Sequence, residues 1–391
     1  MKKKLGYLFM TSALVAGILS GCAGGKGSTN SSDQDVIKLG VNLELSGAVA
    51  SYGQSLESGI DLAIDEINKD GGIDGKKVKP IKVDNKSETS ESTNAAIKLT
   101  SQDKVTAIIG AATSGNTVAQ VQIANDNKTV LLSPSATAPN VTVGKGGKVN
   151  EFAFRTSFID PFQGTVAANF AAKELNLKNA AVFSDSASDY AKGLASSFDK
   201  TFKAAGGKIV SKESYVAKDT DFRSTLTRIK AKNPEFIYIP GYYEEVGLIV
   251  KQAREMGITV PLIGGDGWAS PKLVELAGAD ALNNTFITNH YSAEDPDEKI
   301  QTFVANYTKK YNKAPDAFNA LGYDSVYMLK AAIEKAGSTD ASKIKDALAE
   351  LKDLSLVTGT VTIDKNHNPI KSASVLEYKD GNQVFKTRIN P

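Results

Sequence analysis

A single cysteine and two histidines among 391 residues exclude an intrachain disulfide and any zinc site built from Cys and His. They also leave few side chains able to act as general bases near neutral pH. Neither sign of charge is in excess: 46 basic and 44 acidic residues leave a net +2, which gives no reason to expect a nucleic acid as partner. The phosphate-binding signatures G-x-x-x-x-G-K-[ST] and G-x-G-x-x-G and the nucleophile elbow G-x-S-x-G are all absent. Gly24-Gly25-Lys26-Gly27-Ser28 and Gly144-Lys145-Gly146-Gly147-Lys148 approach them only in composition, and both read as loop or linker. His290 and His367 stand far apart with no partnered nucleophile, which marks each as a surface or hinge residue. These gaps argue against an enzyme and against a cofactor.

Only the first segment departs from ordinary globular composition. Lys2, Lys3 and Lys4 precede an apolar stretch from Leu5 to Leu19, interrupted by Gly6, Thr11, Ser12 and Gly17. It is too short and too polar for a membrane span and reads as an export signal over residues 1–21. It ends in Leu19-Ser20-Gly21-Cys22, which resembles the bacterial lipobox, where the cysteine is acylated and becomes the first mature residue. The one cysteine of the chain occupies that position. Acylated Cys22 implies an extracytoplasmic protein anchored to the cell membrane, each buried methylene contributing about 0.8 kcal/mol; the alternative is a secreted protein cut nearby. Ala23 to Asp35 lacks large apolar residues and reads as the rest of a flexible tether over residues 22–35, reaching roughly 20 Å.

A chain of this length favours about two domains. From Val36 onward short apolar runs alternate with amphipathic helical stretches, the rhythm of parallel α/β sheets. Its centre is Val105 to Pro139. There Ala107–Ile109 and Val130–Leu132 read as strands, each followed by a loop of small and hydroxyl residues. Both loops lie beyond the carboxyl ends of strands, where open parallel sheets place ligands. Ser114 opens the intervening helix, so its hydroxyl and the free N–H groups of the first turn favour an anion such as a carboxylate. The alternative is that Ser114 and Thr137 only cap helices. Phe154-Arg155-Thr156 reads as a first crossing into a second lobe, whose strand-end loops carry Tyr190, Tyr242 and Asp266. Further crossings are expected after Asn289 and near Ile370, dividing the chain into 36–156 plus 291–370 and 157–290 plus 371–391. Three crossings make a hinge suited to closing over a small ligand.

The run LSGAVASYGQSLESGIDLAIDEINKDGGIDGKKV, followed by IIGAATSGNT and SPSATAP, resembles the branched-chain amino acid binding proteins of bacterial ABC importers. The resemblance extends from about Ile37 to Asn390. It implies an α/β protein of the type I periplasmic-binding fold: two Rossmann-like lobes with central parallel sheets, joined by a three-strand hinge. It also implies a monomeric receptor that carries Leu, Ile or Val to the membrane subunits of an ABC permease. Carried over residue by residue, Ser114 and Thr137 supply hydroxyls to the ligand carboxylate and Ser135 supplies backbone groups. The helix behind Ser114 then provides partial positive charge without a buried arginine. Asp266 falls where relatives carry a carboxylate for the ligand ammonium. That residue is often Glu, about one methylene longer; Gly-Gly-Asp-Gly is equally good turn chemistry, and Glu244 and Glu245 are the fallback. Tyr52, Tyr190, Tyr242 and Tyr323 match the aromatic wall of the family's pocket, while Trp268 is either a cleft-rim or a packed residue. Another amino acid, a short amide, or a sensing role beside a membrane receptor are the alternatives the resemblance leaves open.

Overall fold

A computed structural model describes residues 36–391; the expected signal, Cys22 and the tether lie outside the described residues. Ile37, Leu39, Val41 and Leu43 of β1 (Val36–Leu43) are all buried, and from Leu39 onward the residues between them are buried too. Burial on both faces is the mark of a central strand in a sheet covered by helices on each side. Helix α1 (Ala50–Lys69) leads to β2 (Lys77–Asp84), α2 (Thr89–Ile97) to β3 (Ala107–Gly110), α3 (Ser114–Asp126) to β4 (Val130–Ser133), and the chain then enters β5 (Ala153–Arg155). The strands form one parallel sheet in the order β2-β1-β3-β4-β5, with Leu39 opposite Ala107 and Ala107 opposite Val130.

The chain then builds a second sheet. In order come α4 (Asp160–Asn169), β6 (Asn179–Asp185), α5 (Asp189–Ala204), β7 (Lys208–Tyr215), α6 (Arg223–Lys230), β8 (Phe236–Tyr238), α7 (Tyr243–Glu255), β9 (Leu262–Gly264), α8 (Lys272–Ala277) and β10 (Thr285–Asn289). Next α9 (Glu298–Tyr311), α10 (Ala317–Ala336) and α11 (Ala341–Ala349) return to the first sheet, α10 packing along α1 and α11 against β4. A small antiparallel sheet of β11 (Leu354–Leu356), β12 (Gly359–Ile363) and β13 (Pro369–Ile370) follows. It precedes β14 (Ala373–Lys379) and β15 (Asn382–Ile389), which rejoin the second sheet. That sheet runs β15-β14-β10-β9-β8-β6-β7; its parallel core ends in an antiparallel pair, because β14 runs against β10.

The chain therefore passes between two α/β lobes three times, after Arg155, after Asn289 and after Ile370. Among the described residues no helix is long and apolar enough to cross a membrane.

The contact between α1 and α10 sets one wall of the cleft. The α10 N-terminus is held by a capping box: Asp316 accepts from Asn319 N–H at 2.9 Å and donates its own N–H to Asn319 Oδ1 at 2.7 Å. Ser55 of α1 donates to Asp316 Oδ2 at 2.7 Å. The helices approach so closely that a Cβ on Gly59 would lie 2.0 Å from the Asn319 carbonyl, and one on Gly322 2.3 Å from that of Leu56. Only glycine permits that approach.

Candidate functional site

Where the strand ends of the two lobes face one another, Tyr52, Ser114, Ser135, Thr137, Tyr190, Tyr242, Asp266 and Phe318 line a narrow cavity. One end of it is formed by the loops after β3 and β4. The loop after β3 leads into α3 through Thr113, and Glu44, fully buried just past β1, braces it. Glu44 accepts from Ala112 N–H (2.8 Å), Thr113 N–H (3.1 Å), the Thr113 hydroxyl (2.8 Å) and Asn116 Nδ2 (2.9 Å). The amides left for an anion are those from Ser114 onward, where the helix carries its partial positive charge. Two hydroxyls tie the loops together. Ser114 Oγ accepts from Ala138 N–H at 3.1 Å, and Ser135 Oγ donates to the Ala112 carbonyl at 2.7 Å. The Ser114 O–H and the Ser135 backbone both border the cavity.

A buried arginine lies beneath this end without lining the cavity. Arg155, with no exposed surface, closes the underside of the second loop, donating from Nη1 to the Ala136 carbonyl (2.6 Å) and from Nη2 to that of Ala138 (2.8 Å). It draws the loop carbonyls away from the cavity, so its role is loop order rather than ligand contact. Burial lowers its pKa to about 10, partly offset by the Asp160 charge. Asp160 lies under Thr137, its N–H donating to the Thr137 carbonyl at 3.0 Å, and burial drives its carboxyl well above the usual carboxylate range.

The opposite end is an acidic one. Asp266 sits in a single 3-10 turn beyond β9 and is only 4% exposed. Its Oδ1 accepts from Gln163 Nε2 (3.0 Å) and from the Tyr190 hydroxyl (2.8 Å), and its Oδ2 meets His290 Nε2 at 3.0 Å. Gln163 Oε1 in turn accepts from the Asp266 N–H (2.7 Å) and the Thr288 hydroxyl (2.8 Å). Turn chemistry does not explain the flanking glycines. A Cβ on Gly265 would lie 2.5 Å from Gln163 Oε1, and one on Gly267 2.6 Å from the Gly241 carbonyl. They are glycines because the network closes on the backbone itself. His290, expected at the surface or hinge, is at the hinge but buried, with its ring stacked on Phe158 at 3.6 Å. Glu244 and Glu245, at the start of α7, do not line the cavity; Glu245 instead accepts from Lys218 N–H at 2.7 Å.

Aromatic rings wall the space between the two ends. Tyr190 and Tyr242 stack at 5.0 Å, Tyr52 and Phe318 at 4.5 Å, and Tyr52 meets Tyr242 edge-on at 5.8 Å. Phe318 was not anticipated, and Tyr323 does not lie with the others. Five residues further along α10 it is turned by about 140° and raised by about 7.5 Å, and its hydroxyl donates to Glu66 at 2.6 Å. It lines a larger, separate cavity with Phe303, Tyr327 and Asp324. There Asp324 accepts from the Val357 and Thr358 N–H groups at 2.8 Å, and Glu298 and Lys299 also line the space. Trp268 is packed, with no exposed surface and Nε1 donating to the Ile239 carbonyl at 3.0 Å.

The lobes touch across the cavity. The Tyr52 hydroxyl donates to the Gly267 carbonyl and accepts from Tyr243 N–H at 3.2 Å, and Ser51 and Ser270 hydroxyls meet at 2.7 Å. At the rim Asn140 Nδ2 donates to Asp189 Oδ2 at 2.8 Å.

Known proteins share this architecture. Residues 36–383 match the family model described as periplasmic binding protein. A Leu/Ile/Val-binding protein of Rhizobium johnstonii is 35% identical over 83% of this chain and 87% of its own. The branched-chain amino acid transporter substrate binding protein LivJ from Streptococcus pneumoniae, solved in complex with isoleucine, is 41% identical. It superposes with a TM-score of 0.85 over 91% of this chain and 100% of that one. The leucine binding protein LivK of Thermotoga maritima is 37% identical, also with a TM-score of 0.85, over 91% and 99% of the two chains. With the family model spanning nearly all of the described residues and the sheets, crossings and cleft arranged as above, the chain belongs to the periplasmic binding protein family.

Proposed function

We propose that this chain is the extracytoplasmic solute-binding component of an ABC importer and that its ligand is an aliphatic branched-chain amino acid. The observation that carries the reading is the opposition of two ends in one small cavity, Asp266 on one side and the Ser114–Thr137 loops on the other. A zwitterion needs both, because burying either charge without a partner costs several kcal/mol. Between them the wall is made of Tyr52, Tyr190, Tyr242 and Phe318, which suits an apolar side chain and offers no second charge. The Leu/Ile/Val-binding relatives and the isoleucine-bound structure support the same ligand class.

In this reading Ser114 and Thr137 hydroxyls and the Ser135 backbone take the carboxylate, and Asp266 takes the ammonium. The lobes comprise 36–156 with 291–370 and 157–290 with 371–391. Closure of one on the other buries the ligand and changes the face shown to the permease, and a ligand drives closure only by its preference for the closed state. Acylation of Cys22 holds the receptor at the membrane through the tether, as a monomer.

The test is calorimetric titration of the mature protein after unfolding and refolding to strip carried ligand. Saturable binding of L-leucine, L-isoleucine and L-valine, with none of glutamate or urea, is the expected result. Binding confined to another amino acid or an amide overturns the ligand class and leaves the receptor.

A further inference from the structure

His290 stands where the two hinge segments and the acidic end of the cavity meet. It follows β10 directly, on the segment by which the chain returns to the first lobe. Its ring is stacked on Phe158, on the segment by which the chain left it, with the planes 21° apart. Its Nε2 lies 3.0 Å from Asp266 Oδ2, and the residue is 4% exposed. For that contact to be a hydrogen bond with a carboxylate, Nε2 carries the proton. Nδ1 is then the bare nitrogen, in agreement with its having no partner. A carboxylate accepts in about four directions. Gln163 and Tyr190 use those on Oδ1 and His290 uses one on Oδ2, so the direction left for a ligand is on Oδ2, beside the imidazole.

We propose that His290 is the positioning residue of the ammonium site: its neutral ring, donating from Nε2, holds the short Asp266 side chain with Oδ2 available to the ligand, and its protonation competes with the ligand for that carboxylate. The inference rests on the amino acid reading above. A glutamate reaches further and tolerates more freedom, whereas an aspartate one methylene shorter meets the ammonium only from a fixed direction. An imidazolium would already neutralise Asp266, and a ligand ammonium would then bring a second cation to one buried carboxylate. Binding is therefore coupled to the neutral ring, and below the pKa of ligand-free His290 each bound amino acid displaces a proton.

The groups around the ring favour this state. Burial lowers the His290 pKa against the opposing effect of Asp266, and the Lys371 charge on the third passage lowers it further. Phe158 is apolar, and Asn289 Oδ1 accepts only the main-chain N–H of His290, at 2.8 Å. Tyr190, which shares Asp266, stays neutral because burial drives its phenol well up.

The test titrates L-leucine into the stripped mature protein between pH 7.5 and 4.5, in buffers of different ionisation enthalpy, for the wild type, His290→Gln and His290→Phe. Glutamine keeps a donor near the Nε2 position without titrating, while phenylalanine keeps the stack on Phe158 and loses the donor. The wild type is expected to lose affinity by about tenfold per pH unit below its midpoint, with one proton released per ligand. His290→Gln should bind within about threefold of wild type at pH 7.5 and lose that acid slope. His290→Phe should bind roughly tenfold or more weakly at every pH, the effect of losing a hydrogen bond to a charged group. Glu244, pushed up to about 6 by burial and by Glu245, titrates in the same window but is common to all three proteins. An acid slope retained by His290→Gln, or wild-type affinity in His290→Phe, overturns the positioning role and leaves the receptor reading intact. Should His290→Phe fail to fold, the His290→Gln profile decides alone. Absence of amino acid binding by the wild type overturns both.

Discussion

In the proposed reading Asp266 serves both structure and recognition. Three donors hold it before a ligand arrives, so its desolvation is already partly compensated. In that reading, removing it leaves the ligand ammonium with no carboxylate in a closed cavity. Asp266→Ala is expected to lower L-leucine affinity by about 2 to 5 kcal/mol or more, read by calorimetry; an unchanged constant would place the ammonium elsewhere. The resemblance pointed to this position, because loop and carboxylate fall in the matching place. Its partners were not. Gln163 lies 103 residues from Asp266 in sequence and Glu44 lies 68 from Ala112, and neither carries a local pattern that announces such a bond. Arg155 carried one signal, a charge inside the apolar run Ala153–Arg155, which by itself cannot distinguish an exposed strand end from a buried clamp.

At the scale of elements, the pair α1 and α10 places one aromatic wall. Tyr52 is near the start of α1 and Phe318 near the start of α10, and their rings stack because the helices touch backbone to backbone at Gly59 and Gly322. Gly322→Ala would press a methyl against the Leu56 carbonyl and push the helices apart. A loss of about 1 to 3 kcal/mol in urea unfolding is expected, together with weaker leucine binding as the rings separate. A variant with wild-type stability and affinity would show that the helices move apart without consequence. The same pair explains the misplaced tyrosine. Matching by sequence position brought Tyr323 into the wall, but helical phase decides which side of α10 faces the cavity, and that phase belongs to Phe318.

For the whole molecule the question is what holds the lobes together. The Tyr52 hydroxyl bridges them, donating to the Gly267 carbonyl and accepting from Tyr243 N–H, and it also borders the cavity. Tyr52→Phe keeps the ring and removes the bridge. The variant is expected to bind L-leucine about three- to tenfold more weakly, consistent with the loss of a neutral hydrogen bond. Solution scattering should show a smaller contraction on leucine addition than in the wild type. Equal contraction and equal affinity would mean that closure depends on the ligand and the remaining rim contacts alone.

The sequence by itself determined the succession of strands and helices and the hydroxyl-rich loops at strand ends. Each of these rests on periodicity or turn chemistry within a few neighbouring residues. The resemblance pointed to Ser114, Ser135, Thr137, Tyr52, Tyr190, Tyr242 and Asp266, and these residues line one cavity, most of them on loops that converge at one edge of a parallel sheet. Tertiary structure alone decided that β14 and β15 close the second sheet antiparallel and that Phe318 replaces Tyr323 in the wall. It alone decided that Arg155, Glu44, Gln163 and His290 hold the two charged ends in place. Those roles arise from burial and from hydrogen bonds between residues far apart in the chain, and the geometry that creates them exists only once both lobes have folded.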